Sequence, residues 1–270
     1  MYDTIVFLTD FGLRDDFVGV CRGVIRRIAP DATVIDLTHG IPPQDVMRGA
    51  LVLARTLPFL PPAVNLAVVD PGVGGDRRAV AIRAASGSIF VGPDNGLLTV
   101  AAEQAGIVAV RTLTNARYHL TPVSRTFHAR DIFAPVAAHL AAGAHFDDLG
   151  EELDPALLVR LALPEAVTVA GELRARVVDV DRFGNLELNL RRPGLDQLRV
   201  NGGDRVELWF ALNPYFALVA ETYADAGRGE LILYEDSYGA YAIAINGGNA
   251  ASLTEAVRGD EVRIRPDPAR

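Results

Sequence analysis

Residues 4–40 read TIVFLTDFGLRDDFVGVCRGVIRRIAPDATVIDLTHG, an apolar run, a helical pattern and a second apolar run in succession. TIVFLTD (4–10) is β-rich and shows no polar alternation, as in a strand buried on both faces. DDFVGVCRGVIRRIAP (15–30) places Phe17, Val20, Cys21, Val24, Ile25 and Ile28 at helical spacing and closes on a proline. TVIDLTH (33–39) repeats the strand pattern. Further along, DVMRGALVLARTLPFL (45–60) reads as a helix and AVNLAVVD (63–70) as a third strand. AVAIRA (79–84) and SIFVGPDNG (88–96) follow as strands, and IFAPVAAHLAA (132–142) as a helix. Such alternation predicts a mainly parallel sheet covered by helices.

From about residue 172 the pattern changes. ELRARVVDVDRFGNLELNL, DRVELWFAL, GELILYEDS, AYAIAING and DEVRIRP are short strands separated by Gly, Asn and Asp turns, with one short helix expected near 249–258. That is an all-β domain, sandwich or barrel. The expected fold class is therefore α/β: an N-terminal α/β domain over 1–163, a linker over 164–171 and a C-terminal all-β domain over 172–270.

The 270 residues are half apolar and 22% charged, with a net charge of -8. That balance lacks the basic footprint of a nucleic-acid binder and serves solubility. Cys21 is the single cysteine, which excludes an intramolecular disulfide and a CxxC metal site. No apolar run reaches the length of a membrane span, and MYDTIVFLTDFG lacks the pattern of a signal peptide. A cytoplasmic protein without nucleic-acid or membrane partners is the expectation.

Ligands of open parallel sheets sit beyond the carboxyl ends of the strands. Polar residues cluster there: Asp10 in LTDFGLRDD, Asp36 and His39 in IDLTHG, Asp70 in VVDPGVGG, and Asp94 with Asn95 in FVGPDNG. Each alone reads as a helix cap or turn former. Together they would repel unless paired or functional. TFHARDIFAP (126–135) adds His128, Arg130 and Asp131, with Asp131 expected to cap the helix that follows. The five histidines show no HxH or HExxH spacing, which leaves a metal site of Asp and His only a weak signal, and none is expected. The glycines at 72, 74 and 75 fit neither phosphate-loop pattern, which favours a nucleoside-like ligand without phosphates. In DRFGNLELN (181–189), Gly184-Asn185 is a hairpin signal. Its functional reading has Phe183 stacking on a flat ring while Asn185 reads the ring's edge. NGGNAASL (246–253) reads either as a turn with a helix start or as a backbone surface near a ligand.

The stretches LTDFGLRDDFVGVCRGVI, VIDLTHGIPPQDV, VVDPGVGGDRR, FVGPDNGLLT, TFHARDIFAPVAAHLAAG, VDRFGN and INGGNAASL span residues 8–253. In these the sequence resembles the S-adenosylmethionine hydroxide adenosyltransferases, or SAM hydrolases, related to the fluorinating and chlorinating SAM enzymes. The resemblance implies an α/β domain followed by a β-barrel. It implies a homotrimer with active sites between subunits, S-adenosyl-L-methionine as substrate, and no cofactor. It assigns water activation to Asp70, Arg77 and His128, and prefers Arg77 over Arg78 by its distance from Asp70. Asp10 matches the ribose ligand, and Asp15, Asp181 and Ser237 match contacts on the methionine side. Phe183, Asn185, Tyr223, Ile245 and Gly247 match adenine contacts, and Phe127 also falls among the substrate-binding positions. Tyr238 stands where some relatives place an arginine for the methionine carboxylate. Halogenating relatives have a non-acidic residue at the position of Asp70, and the fluorinating ones carry a loop near 84–88 that this chain lacks.

The implied reaction is hydrolysis of S-adenosyl-L-methionine to adenosine and methionine by displacement at ribose C5′. Which of Asp70, Arg77 and His128 takes the proton stays open at this level. The competing classes are a halide-using adenosyltransferase, a SAM- or nucleoside-binding module without turnover, and a metal-dependent phosphoesterase.

Overall fold

In the computed structural model, which describes residues 2–268, Thr4–Thr9 form β1, and all six of its residues are buried. The chain divides into two units, one ending at Leu161 and the other starting at Ala162. In the first, α1 (Phe17–Ile28) follows β1 and buries Val18, Cys21, Val24 and Ile25, one stripe of an amphipathic helix. Arg26 and Arg27 complement the dipole of its last turn. Next come β2 (Thr33–Thr38) and α2 (Val46–Thr56), whose N-terminus is capped by Asp45 accepting from the Arg48 amide. Then follow β3 (Val64–Val68), β4 (Ala79–Ala84), β5 (Ile89–Pro93), α3 (Thr99–Gln104), β6 (Ile107–Thr112) and α4 (Ala134–Ala141).

The sheet order is β2-β1-β3-β5-β4-β6. The first four strands run parallel, whereas β4 pairs antiparallel with both β5 and β6. Alternate residues feed two cores, as the strand period requires. Phe7, Leu66 and Val68 face α1 and α4. Leu8, Ala67 and Val69 face α2 and α3. The chain leaves β1 for β2 on one side and returns to β3 on the other. This reversal of winding opens a crevice at the carboxyl ends of β1 and β3, the place where such sheets bind ligands. Thr9 pairs with Val68, so Asp10 and Asp70 follow neighbouring strand ends.

The second unit holds β7 (Val167–Val169), β8 (Glu172–Val180), β9 (Leu186–Leu188), α5 (Arg192–Asp196), β10 (Arg205–Phe210), β11 (Asn213–Ala220), β12 (Leu231–Glu235), β13 (Tyr241–Ile245), α6 (Ala250–Thr254) and β14 (Glu261–Pro266). The order β14-β10-β11-β12-β13-β9-β8 closes through pairing of β14 with β8. Closure leaves no exposed edge in the ring. Leu173, Val177, Leu208, Leu233, Ile243 and Ile264 fill its interior. The expected linker, 164–171, contains β7, which pairs with β8.

Candidate active site

The loop after β3 carries Asp70, two successive turns and then Arg77. Val73 N donates to Asp70 O, and Gly75 N donates to Gly72 O. These turns fold Arg77 back onto Asp70. Arg77 Nε lies 2.9 Å from Oδ1 and 3.1 Å from Oδ2, and Nη2 lies 2.6 Å from Oδ2. The pair is largely withdrawn from water, with side chains 11% and 6% exposed. Glycines permit this closeness. A Cβ on Gly72 would lie 3.2 Å from the Arg77 side chain. Gly74 has φ +77, and a Cβ there would lie 2.2 Å from the Arg125 carbonyl oxygen.

The same Nη2 lies 2.7 Å from Nδ1 of His128. Guanidinium nitrogens only donate, so Nδ1 accepts and the neutral ring carries its proton on Nε2. Burial, and then the positive charge of Arg77, hold the His128 pKa below the ordinary histidine value. Phe133 supports the arrangement, its ring centroid 5.1 Å from the Arg77 guanidinium carbon. Arg78 turns elsewhere, with Nε 2.7 Å from Asp94 Oδ2.

His128 precedes a single π-helical turn, Ala129–Phe133, that leads into α4. Asp131, which the sequence pattern offers as the cap of this helix, does not cap it. It lies within the π turn, 1% exposed, and accepts from Arg130 Nε and from Ser124 N, each through its side chain. The wider turn directs that carboxylate to the 121–127 loop. On the other side of that loop, Phe127 meets Phe11 at 6.0 Å and Phe17 at 5.3 Å between ring centroids, both edge-on. The aromatic contacts join the segment after Asp10 to the segment before His128.

Asp10 accepts from the Gln44 amide at 2.7 Å through Oδ2. Asp15 is exposed just before α1. Other strand-end acids have structural partners. Asp36 lies within β2 and pairs with Arg22. Asp94 accepts from Arg78 and from the Val159 amide, and Asn95 donates to Val69 O while accepting from Leu97 N.

In the second unit, Asp181 organises the turn between β8 and β9. Its Oδ1 accepts from Phe183 N and Asn185 N, and its Oδ2 from Asn185 Nδ2 at 2.7 Å. Asn185 Nδ2 also lies 3.3 Å from Tyr223 Oη, which pairs with Tyr234 Oη at 2.7 Å. The amide nitrogen is thus engaged, and the Asn185 oxygen remains as an acceptor. Phe183 is 64% exposed, with the Arg182 guanidinium over its ring. Asn249 packs on Gly184, whose φ is +84, and caps α6 by accepting from Ser252 N. Ser237 and Tyr238 occupy an exposed turn organised by Asp236, which accepts from Tyr238 N and Ala240 N. Ile245 ends β13, and Gly247 follows at φ +72.

Sequence reasoning missed Phe133, the Gln44 amide and the Arg125 carbonyl as neighbours of these residues. None carries a local signal, because a backbone group or a ring becomes a site component only when folding brings it there. Among the described residues, no group of three His, Cys, Asp or Glu side chains is arranged to hold a metal ion. No described helix is long and apolar enough to cross a membrane.

Residues 5–150 match the SAM hydroxide adenosyltransferase N-terminal domain, and residues 175–263 match the C-terminal domain of that family. The chain is 47% identical over 265 residues to a protein of Salinispora tropica named (R)-S-adenosyl-L-methionine hydrolase, covering 96% of this chain and 97% of that one. It is 31% identical to a fluorinase of an Actinoplanes species, covering 90% of each. The crystal structure of an uncharacterized conserved protein from Thermotoga maritima superposes with a TM-score of 0.92 at 38% identity, over 97% of this chain and 99% of that one.

Proposed function

The chain belongs to the SAM hydroxide adenosyltransferase family, and from that premise we propose that it hydrolyses S-adenosyl-L-methionine to adenosine and L-methionine, taking the (R) sulfonium epimer that its relatives' names specify. The observation that carries the reading is the linked Asp70–Arg77–His128 set beside the crevice end of β3. The site residues and the individual roles below are part of the same proposal.

Water attacks C5′ of the ribose, an O–C5′ bond forms and the C5′–S bond breaks. The sulfonium takes the electron pair and leaves as a neutral thioether, so the leaving group needs no acid. The difficulty lies in the nucleophile, since neutral water is weak. Asp70 accepts a hydrogen bond from that water and receives its proton, which then passes to solvent. Arg77 holds both carboxylate oxygens by its fork, so the acceptor has one orientation. His128 has Nδ1 occupied by Arg77, and its protonated Nε2 suits it to donate to the developing hydroxide rather than to take the proton. Attack of an anionic nucleophile on a cation cancels charge, which a water-poor site favours. Asp10 accepts the ribose hydroxyls and aligns C5′.

Adenine falls to the second unit in this reading. Phe183 supplies a ring face, and Asn185, its amide turned by Asp181 and Tyr223, offers its oxygen to the exocyclic amine. Asp15, Ser237 and Tyr238 face the methionine part. We read the protein as a cytoplasmic homotrimer with shared sites and no cofactor; cell fractionation tests the location, sedimentation at working concentration tests the trimer, and full activity after exhaustive dialysis and in chelator tests the absence of a cofactor.

The decisive experiment incubates the protein with each sulfonium epimer in ¹⁸O-labelled water. Adenosine carrying label at the 5′ oxygen, together with unlabelled methionine, is the expected product. No adenosine, label elsewhere, or 5′-halo-adenosine in halide buffer would each refute the reading.

A further inference from the structure

His39 touches none of the residues assigned to the reaction, yet the start of the Asp10 loop is built on it. Thr9, the last residue of β1, is 0% exposed, and His39, just after β2, is 5% exposed. Thr9 Oγ1 and His39 Nδ1 are 2.8 Å apart. Phe11 N donates to the same Oγ1 at 3.2 Å, and Gly12 N donates to His39 O at 2.8 Å. Two amides directly after Asp10 therefore end on the Thr9–His39 pair. Gly12 has φ +68, so the chain reverses there and depends on both anchors.

Two further groups pack against the ring. The Phe7 ring meets it in a T-shaped contact at 4.8 Å between centroids. Nε2 lies 3.1 Å from Oδ1 of Asp36, near enough for attraction though out of line for a hydrogen bond. Asp36 is in turn paired with Arg22 of α1. Burial, and then Arg22, push the His39 pKa down to about 4, so the ring is neutral at ordinary pH. With its proton on Nε2, towards Asp36, Nδ1 is an acceptor. Thr9 Oγ1 then receives from Phe11 N and gives its own proton to Nδ1, a chain in which each group has one role.

We propose that His39 is a positioning residue: through Thr9 Oγ1 and its own carbonyl it holds the Asp10–Gly12 loop in the conformation that presents the Asp10 carboxylate to the ribose. The inference rests on the reading of Asp10 as the ribose ligand and adds the device that holds it. The amide of Gln44 restrains one carboxylate oxygen, and the His39 pair sets the backbone behind it.

Thr9→Val removes the hydroxyl without changing shape. His39→Leu removes the ring acceptor, and His39→Asn keeps a side-chain group able to bond Thr9. Kinetics with S-adenosyl-L-methionine and calorimetry with adenosine are compared with amide hydrogen exchange at Phe11 and Gly12. Thr9→Val and His39→Leu should raise KM and the adenosine Kd roughly tenfold, with kcat changed by less than about threefold and both amides losing protection. His39→Asn should restore most of the affinity. Unchanged KM and Kd in Thr9→Val, a loss confined to kcat, or a His39→Asn variant as impaired as His39→Leu would overturn the proposal. If His39→Leu does not fold, Thr9→Val carries the test. Should the parent protein neither turn over the substrate nor bind adenosine, the reading of Asp10 fails. Hydrogen exchange still decides whether His39 holds the loop, and undiminished protection at Phe11 in Thr9→Val would refute that.

Discussion

Replacing Asp70 with Asn and Arg77 with Lys, singly and together, tests whether the two act as one device. The structure gives three nitrogen–oxygen contacts of 2.6–3.1 Å between them. Both side chains are nearly withdrawn from solvent, so screening weakens the pair little. The amide introduced by Asp70→Asn keeps one acceptor but turns an NH2 towards a guanidinium that can only donate. The stability cost should be about 2–3 kcal/mol, below the roughly 3–5 kcal/mol of deleting one member of a buried ion pair outright. Catalysis should fall further, roughly 10²–10⁴-fold in kcat, because an amide cannot receive the water's proton. Lysine replaces a planar fork with a point charge and cannot hold two carboxylate oxygens and His128 Nδ1 at once. Arg77→Lys should therefore lose roughly 10²-fold in kcat with a modest change in KM. The double variant should be no worse than Asp70→Asn alone, since the second change removes support from a group already lost. Adenosine release followed by chromatography reads the cycle. The single tryptophan, Trp209, lies in β10 of the second unit, so hydrogen exchange in the first unit is the appropriate stability probe. Losses that multiply in the double variant, or Asp70→Asn turning over at the parental rate, would refute the coupled mechanism.

Asp10→Ala should weaken adenosine binding roughly tenfold or more, and an unchanged calorimetric Kd would remove Asp10 from the ribose. Gly74→Ala forces a Cβ to 2.2 Å from the Arg125 carbonyl at a φ of +77. It should cost about 1–3 kcal/mol and depress kcat by displacing Arg77, and a variant of parental stability and rate would disprove that fit. His39 has a folded pKa of about 4 against 6.5 when unfolded, so the unfolded chain binds the proton first as pH falls. Unfolding free energy should drop between pH 6.5 and 4, by about 3 kcal/mol from His39 alone, with His119, His128 and His139, also held low by burial, acting in the same direction. A denaturation series flat across that window would contradict the assignment.

Much of the architecture is legible along the chain because it is local. An unbroken apolar run such as Ile5–Leu8 and the periodicity of Val18, Cys21, Val24 and Ile25 each announce their element within a few residues. The antiparallel entry of β4 beside β5 is not local, because AVAIRA reads the same in either direction of pairing. Asp131 shows the same limit. An acid at the start of a helical stretch looks like a cap, and only the π turn and the Ser124 amide make it a loop anchor.

The order of residues alone carries the two halves of different character, the acids near strand ends and the resemblance that marks Asp70, Arg77 and His128. Those properties reside in residue type and short-range spacing. Which acids are committed to partners emerges from the folded chain. Asp36 and Asp94 are taken up by Arg22 and Arg78, while Arg77 bridges Asp70 to a histidine 51 residues further on. The fold also sets the acceptor role of His128 Nδ1 and the partners of His39, Thr9 Oγ1 and the Gly12 amide. A hydrogen-bond partner and a proton's location depend on distances across the fold, and no spacing along one chain specifies them.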